Sequence, residues 1–463
     1  MKTLAASFRD PSGRVYSLDD GNIIRSVQKS YAPDYNYATE QNLFLSLREK
    51  GLLIDFEESK DHMVSGAWKT LSVERIPVVT YPYEWSFSQL KDAALLTLQI
   101  NRDALAHGMI LKDASAFNVQ FTHGKPIFID ILSFERRLDD SPWVAYGQFC
   151  RHFLAPLLLM AKRDLRYGFL TRDFIDGIPL DFTSAALPRG TWLSVSTLLH
   201  IHMHSWMQGR FGDTRAIAEG KKKDTNARVS DKSLLDITDG LLSAVNAISL
   251  SHFSTEWGDY YSDTNYSTEA FKAKENLLRR ILNEKKLATV LDVGANNGHF
   301  SRIASETAQL VIAPDIDPLA VEKHYRYLRD ESGQKKLNII PMIIDLTNPS
   351  PSLGWACSER SSFFERCGAN LVLALALVHH LAISNNVPLP MIAEMFASLG
   401  ENLLIEFVPK EDSQTRRLLT SRKDVFPSYN EAGFREAFSR YFVIEDCIPV
   451  PESERKLFVM KRN

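Results

Sequence analysis

Cysteine is scarce: Cys150, Cys357, Cys367 and Cys447 are the only four in 463 residues, too few and too scattered for a disulfide framework or a zinc site. Neither charge sign is in excess. With 54 basic and 57 acidic residues and a net charge of -3, nothing asks for a nucleic-acid backbone or an anionic membrane as partner. Long apolar runs are missing as well. Phe153 to Ala161 and Leu371 to Val378 are less than half of a bilayer span, and the opening MKTLAASFRDPSG holds no stretch of signal-peptide length. Internal repeats and low-complexity tracts are also absent. These features predict a cytoplasmic protein with no membrane segment. What is present is ordinary for a folded chain, 44% hydrophobic and 24% charged residues, over a length that predicts two domains or three.

The clearest change of texture is Glu219 to Lys232 (EGKKKDTNARVSDK), charged and almost without large apolar residues, which reads as an exposed loop or linker. Before it, residues 8 to 90 mix short β-rich runs with the helical stretch Ala38 to Gly51. Residues 91 to 215 are mainly helical around one β-rich piece, Asn118 to Phe134. After it, Leu234 to Ser249 reads as a helix, and another helix ends near Leu287. From there ATVLDV, QLVIAPD, KLNIIPMIID, NLVLALAL and ENLLIEFV alternate with helical segments. Strands apolar on both faces are buried parallel strands, and this alternation predicts a doubly wound α/β sheet. The last two runs, YFVIEDCIPV and RKLFVMKR, are separated by Pro-Glu-Ser-Glu and suggest an antiparallel pair at one edge.

Val290-Leu-Asp-Val-Gly-Ala-Asn-Asn-Gly-His-Phe300 is the most informative motif. A buried strand ends at Asp292, and a turn through Gly294 and Gly298 opens a helix. Glycines suit a backbone that must bend sharply and approach a ligand, and the helix beyond offers free N–H groups. Asn296 stands at the second glycine position of the dinucleotide-binding pattern, and Asp292 would repel a pyrophosphate but welcome an ammonium or sulfonium ligand. The second strand ends in Asp315, a position suited to ribose hydroxyls, with Asp317 as the alternative register. The third ends at Asp345, where a carboxylate can accept from an adenine amine.

Together with LALALVHHL, these residues resemble the motifs of class I S-adenosylmethionine-dependent methyltransferases, over about 180 residues. The resemblance implies a Rossmann-like, seven-stranded doubly wound sheet with S-adenosyl-L-methionine as cofactor. It implies that Asp292, Gly294, Asn296 and Gly298 cradle the methionine end, that Asp315 holds the ribose and that Asp345 lies beside adenine. Methyl transfer to a hydroxyl needs alignment and a proton acceptor. His379 and His380, after the fourth strand, are the candidates, either as a near-neutral general base or as residues that shape the pocket. Glu406, at the end of the fifth strand, is a weaker candidate for that role and reads rather as structural. The aromatic segment Trp257 to Tyr266 reads either as a lid, with Tyr260, Tyr261 and Tyr266 toward ligand, or as packing against the sheet.

In the first half, Asp113 and Asn118 are followed by the strand-end Asp130. A loop carboxylate, an amide five residues on and a second acid form the layout of phosphotransfer sites. They resemble the catalytic core of the protein-kinase and aminoglycoside-phosphotransferase fold. Departures are clear: no glycine-rich loop in residues 8 to 30, only Asp10-Pro-Ser-Gly-Arg-Val, and Leu111 where a histidine is usual. A phosphate-pairing lysine is not identifiable from the sequence; Lys29 and Arg25 are the candidates, with Glu40 or Glu49 as helix partner. His200, His202 and His204 invite a metal reading, but only two share a helix face, and no glutamate completes a zincin pattern. No metal is expected.

The expected organisation is an α+β, kinase-like and degenerate domain over residues 1 to 218, a linker and helix over 219 to 250, and the methyltransferase domain over 251 to 463. The order of parts resembles rhizobial host-specificity nodulation proteins of the NoeA type, which implies tailoring of a signal molecule. A small-molecule methyl acceptor is favoured over nucleic acid. Two other readings stand beside this one, a bifunctional phosphotransferase and methyltransferase, and a non-catalytic sensor of S-adenosylmethionine.

Overall fold

The computed structural model describes residues 1–211, 228–250, 255, 268–285, 287–331, 337–420 and 423–463. Residues 219–227 of the charged stretch and the aromatic segment Trp257 to Tyr266, with Tyr260, Tyr261 and Tyr266, lie outside the described residues. The chain forms two compact units. One comprises Met1–Phe253 with Leu353–Arg360, the other Ser254–Ser352 with Ser361–Asn463. No helix among the described residues is long and apolar enough to cross a membrane.

The first unit opens with strands β1 (Lys2–Thr3), β2 (Val15–Ser17), β3 (Ile23–Val27), β4 (Phe56–Glu58) and β5 (Lys69–Val73). They form an antiparallel sheet in the order β1-β2-β3-β5-β4. Helices α1 (Ala32–Glu40) and α2 (Leu43–Glu49) lie in sequence between β3 and β4. The long helix α3 (Phe87–Ala106) starts where Ser86 Oγ accepts from the Gln89 N–H and Gln89 Oε1 accepts from the Ser86 N–H, a capping box. Its buried Leu90, Ala93, Leu98, Asn101 and Ala104 recur at helical spacing and set one face into the core. Beyond it, β6 (Met109–Leu111) pairs with β9 (Phe134–Arg136), and β7 (Val119–Thr122) with β8 (Lys125–Phe128), both antiparallel.

The second unit is built on a seven-stranded sheet of β10 (Thr289–Asp292), β11 (Leu310–Asp315), β12 (Ile339–Ile343), β13 (Ala369–Ala374), β14 (Gly400–Phe407), β15 (Phe442–Pro449) and β16 (Lys456–Arg462). Their order is β12-β11-β10-β13-β14-β16-β15. The first five run parallel, and β16 pairs antiparallel with both β14 and β15. Every residue of β11 and β12 is buried, as strands covered on both faces require. The edge strand β15 is half exposed, and Glu445 and Asp446 on it discourage pairing with other chains. Strand order reverses between β10 and β13, so the carboxyl ends of these two strands flank the crevice where sheets of this kind bind ligands.

Candidate active site

A cavity of about 330 Å³ lies at that crevice, within the size range of small-molecule sites. It is lined by Asp292 from β10, Asp315 from β11, Asp345 after β12, and Leu375 to Leu377 after β13. Gly294 and Asn296 of the turn, and His380, also line it; Phe271, Phe300 and Leu418 add apolar surface. The turn adopts the left-handed conformation three times, at Gly294 (φ 74°), Asn296 (φ 51°) and Gly298 (φ 77°). Asparagine is among the few side chains that tolerate this region, so Asn296 keeps the bend that a glycine would give.

Asp292 and Asp315 are both buried. Asp292 accepts from Ser301 Oγ at 2.6 Å. Asp315 accepts backbone N–H groups with both oxygens, from Asn296 at 2.7 Å and from Asp317 at 2.8 Å, which fixes its carboxylate at the mouth of the turn. Asp317 does different work. It is the N-cap of the helix Pro318–Arg326 and accepts from the N–H groups of Leu319 and Ala320, and it does not line the cavity. Asp345 accepts from the N–H and the hydroxyl of Thr347.

Burial pushes Asp292 up to about 6, with the neighbouring Asp315 adding to the rise while Ser301 and Lys274 oppose it. Burial likewise pushes Asp315 up to about 6. Both values lie above the ordinary 3.8, so the folded domain holds these protons more tightly than the unfolded chain. Their stabilising contribution is therefore full below about pH 4 and is lost as pH rises through about 6. Binding of a cationic ligand runs the opposite way, because it needs the ionised acids. Affinity for S-adenosylmethionine is expected to fall by about tenfold per carboxylate from about pH 7.5 to about pH 5. Calorimetry at the two values checks this; equal affinities would mean that binding does not depend on either acid being ionised.

Gly298 shows why the turn must stay small. A Cβ there would lie 2.0 Å from Nε2 of His324, a fully buried ring whose nitrogens have no hydrogen-bond partner among the described residues and whose pKa burial pushes down to about 3. Gly298→Ala is expected to cost more than about 2 kcal/mol, from the collision plus the left-handed backbone. Adding His324→Ala should recover part of the loss and leave about 1 kcal/mol of backbone strain. Thermal melts of the two variants check this; a single variant that loses no more than about 1 kcal/mol would show that the ring moves freely aside.

The two histidines separate. His380 lines the cavity, whereas His379 is not among the lining residues and is buried, with its Nδ1 lacking a partner among the described residues. The near-neutral value expected from the sequence is not what the site gives. Burial, with Arg455 as a second cause, pushes His380 down to about 4, and burial holds His379 well below its usual range. His380 is thus a neutral imidazole at physiological pH.

Lys274 was not foreseen from the sequence. It sits in the helix Thr268–Lys285, lines the cavity, and donates from Nζ to Glu406 Oε2 at 2.8 Å, with 3% and 0% of the two side chains exposed. The signal was its spacing. Phe271, Lys274, Leu278 and Ile281 lie three and four residues apart, so the lysine occupies a core-facing position of an amphipathic helix. Burial lowers its pKa while Glu406 opposes that shift. Glu406 also accepts the N–H of Ala376 at 2.8 Å, and Arg455 lies 3.8 Å from its other oxygen. Ala376 has φ 51°, so the glutamate holds the cavity-lining bend after β13 in a conformation that costs an alanine about 1–2 kcal/mol.

In the first unit, Asp113 accepts from the Ser115 N–H and from Gln148 Nε2. Asn118 donates to the Asp113 carbonyl and to Ser133 Oγ, and Ser133 in turn donates to Asp130. Of the two candidate cations, Arg25 is buried and pairs with Asp130, while Lys29, Glu40 and Glu49 are exposed. The three neighbouring histidines are engaged by side chains. Tyr146 lies against both His200 and His204, and His202 bonds Ser184 and Thr191 while stacking on Trp192.

Strand order and site together define the second unit as a domain of the class I S-adenosylmethionine-dependent methyltransferase fold. No protein-family model matches the chain. The sequence is 35% identical to the nodulation protein NoeA of Rhizobium meliloti (strain 1021) over 474 aligned positions, which cover 99% of this chain and 96% of NoeA. The chain therefore belongs to the NoeA family. Among solved structures it is similar to the N-methyltransferase NodS from Bradyrhizobium japonicum WM9, with 11% identity over 42% of this chain and 98% of that one, at a TM-score of 0.31. It is also similar to magnesium protoporphyrin IX methyltransferase from Synechocystis PCC 6803 with bound S-adenosylhomocysteine, with 18% identity over 45% and 93% of the two chains, at a TM-score of 0.32. Scores of that size do not bear on function.

Proposed function

We propose that the second unit transfers the methyl group of S-adenosylmethionine to a small-molecule acceptor, and that the first unit selects the acceptor. One observation carries this reading: the carboxylates Asp292, Asp315 and Asp345 at three consecutive strand ends share one cavity with a left-handed turn. The donor set fits the nucleoside. Asp292 suits the cationic methionine end, Asp315 a ribose diol and Asp345 an adenine amine, with Ile316, Ile344 and Leu346 supplying apolar walls. When bound, S-adenosylmethionine supplies a methyl group on a sulfonium, which leaves its electron pair on sulfur as the acceptor forms the new bond. His380, neutral at about pH 7, accepts a hydrogen bond from the acceptor's hydroxyl or amine and the proton that departs. Membership of the NoeA family favours a nodulation signal molecule as acceptor.

The test is incubation with methyl-labelled S-adenosylmethionine and a lysate divided into small molecules, lipids, protein and RNA. Label is expected in the small-molecule fraction, with S-adenosylhomocysteine released. His380→Asn should lower the rate by about a hundredfold, the lower end of general-base contributions, with cofactor affinity unchanged. Label in RNA or protein would overturn the acceptor class, and no label anywhere would favour a sensor.

For the first unit we infer a kinase-like fold. Its support is the order β1-β2-β3-β5-β4, the helices between β3 and β4, and the Asp113, Asn118 and Asp130 succession across β6 to β9. No group of three or more His, Cys, Asp or Glu among the described residues could hold a metal ion.

A further inference from the structure

In kinase-like folds, a cation on the third strand meets the nucleotide's phosphates, a loop covers them, and magnesium is held by the acid and amide of the site. Arg25 stands on β3, yet its guanidinium bonds inward. Nη1 lies 2.5 Å from Asp130 Oδ1 and Nη2 lies 2.7 Å from Asp10 Oδ2, with 8% of the Arg25 side chain exposed. The other Asp130 oxygen accepts from Ser133, and Leu132 N–H donates to Oδ1, so both oxygens of the acid are engaged.

Asp10 belongs to the segment between β1 and β2, and that segment is pinned at each step. Asp10 accepts the Ser12 N–H, Ser12 Oγ accepts from Lys112 Nζ at 2.9 Å, and the Gln28 N–H donates to the Ser12 carbonyl at 2.8 Å. Gly13 lies so close to β3 that a Cβ would fall 2.0 Å from the Ser26 carbonyl oxygen and 2.7 Å from Leu132. A segment that could lift away would not need a glycine packed against backbone. One anion from the chain itself, Asp10, thus takes the β3 cation, and one cation from the chain itself, Arg25, takes the acid that would hold a metal. Ser12 of the same segment takes the lysine beside Asp113.

We propose that the first unit contains a phosphate-binding cleft closed from within: Asp10 occupies the phosphate position, and Arg25 supplies to Asp130 the positive charge that a divalent cation would bring. The cleft therefore takes neither magnesium nor a nucleoside triphosphate while the β1–β2 segment is in place. This rests on the kinase-like reading of the first unit, though the ion triple itself does not.

The test is equilibrium binding of ATP to the full chain, with and without magnesium, for the parent and for Asp10→Ala/Ser12→Ala. The parent is expected to bind neither form. The double variant frees one partner each of Arg25 and Lys112 and should gain ATP affinity by at least about tenfold over the detection limit, the worth of one charge-assisted contact. Magnesium should not enhance that gain, because Arg25 still pairs with Asp130. Magnesium-dependent ATP binding by the parent would overturn the proposal. So would a double variant with unchanged circular dichroism that binds neither ATP nor tripolyphosphate. Neither outcome touches strand order; an experimental structure with a different order would remove the kinase-like reading and leave the ion triple standing.

Discussion

Replacing Asp315 by alanine should weaken S-adenosylmethionine binding by about 1.5–3 kcal/mol, or roughly 10- to 150-fold, while Asp317→Ala should leave affinity within about twofold. The two acids stand two residues apart and face different tasks. Asp315 ends β11, lines the cavity, and is held by two main-chain N–H groups that orient its remaining lone pairs. A ribose diol hydrogen-bonded to such a carboxylate loses a charge-assisted contact when the side chain is cut back. Asp317 caps a helix, so its loss should appear as about 0.5–2 kcal/mol of stability instead. Calorimetry with S-adenosylmethionine and urea denaturation of both variants separate the effects. If Asp317→Ala gives the larger loss of affinity, the ribose contact is misassigned.

Glu406→Ala should destabilise the second unit by about 3–5 kcal/mol. Its side chain is fully buried between Lys274 and Arg455, themselves 3% and 4% exposed. Removing it takes away the carboxylate against which both cations were buried, and the hydrogen bond that holds Ala376. Asp412 continues to pair with Arg455 at 2.7 Å, so the larger part of the penalty falls on Lys274. A Lys274→Met/Glu406→Leu pair should cost far less, because no ion of the original pair remains in the interior. Urea denaturation midpoints measure both. Equal losses for the single and double variants would mean that packing, not charge, governs this site.

Much of the second unit was legible in the sequence because its parallel strands are buried on both faces. VLDV, VIAPD and IIPMII read as core strands by composition alone, and the Gly294 to Gly298 turn follows where a chain must bend. The final antiparallel pair was legible from the Pro-Glu-Ser-Glu break between β15 and β16. Finer points were hidden because they depend on packing. Nothing in HH tells which ring meets the cavity, and the value of His380 near 4 reflects burial that no linear pattern records. Asp315 and Asp317 could not be separated until helix capping assigned one of them. Lys274 precedes the motif and looks like any helix-surface lysine unless its place in the apolar stripe is counted. In the first unit, Arg25 was a candidate for a phosphate partner, but its pairing with Asp10 joins residues that a sequence alone does not bring together.

The claim on which the account depends is tested most directly by a crystal structure of the chain with S-adenosylhomocysteine. The nucleoside is expected in the cavity at the β10–β13 crevice, with its ribose hydroxyls within hydrogen-bond distance of Asp315 and its adenine beside Asp345. Density for the nucleoside elsewhere, or the chain's own side chains filling that cavity in the presence of saturating ligand, would contradict it.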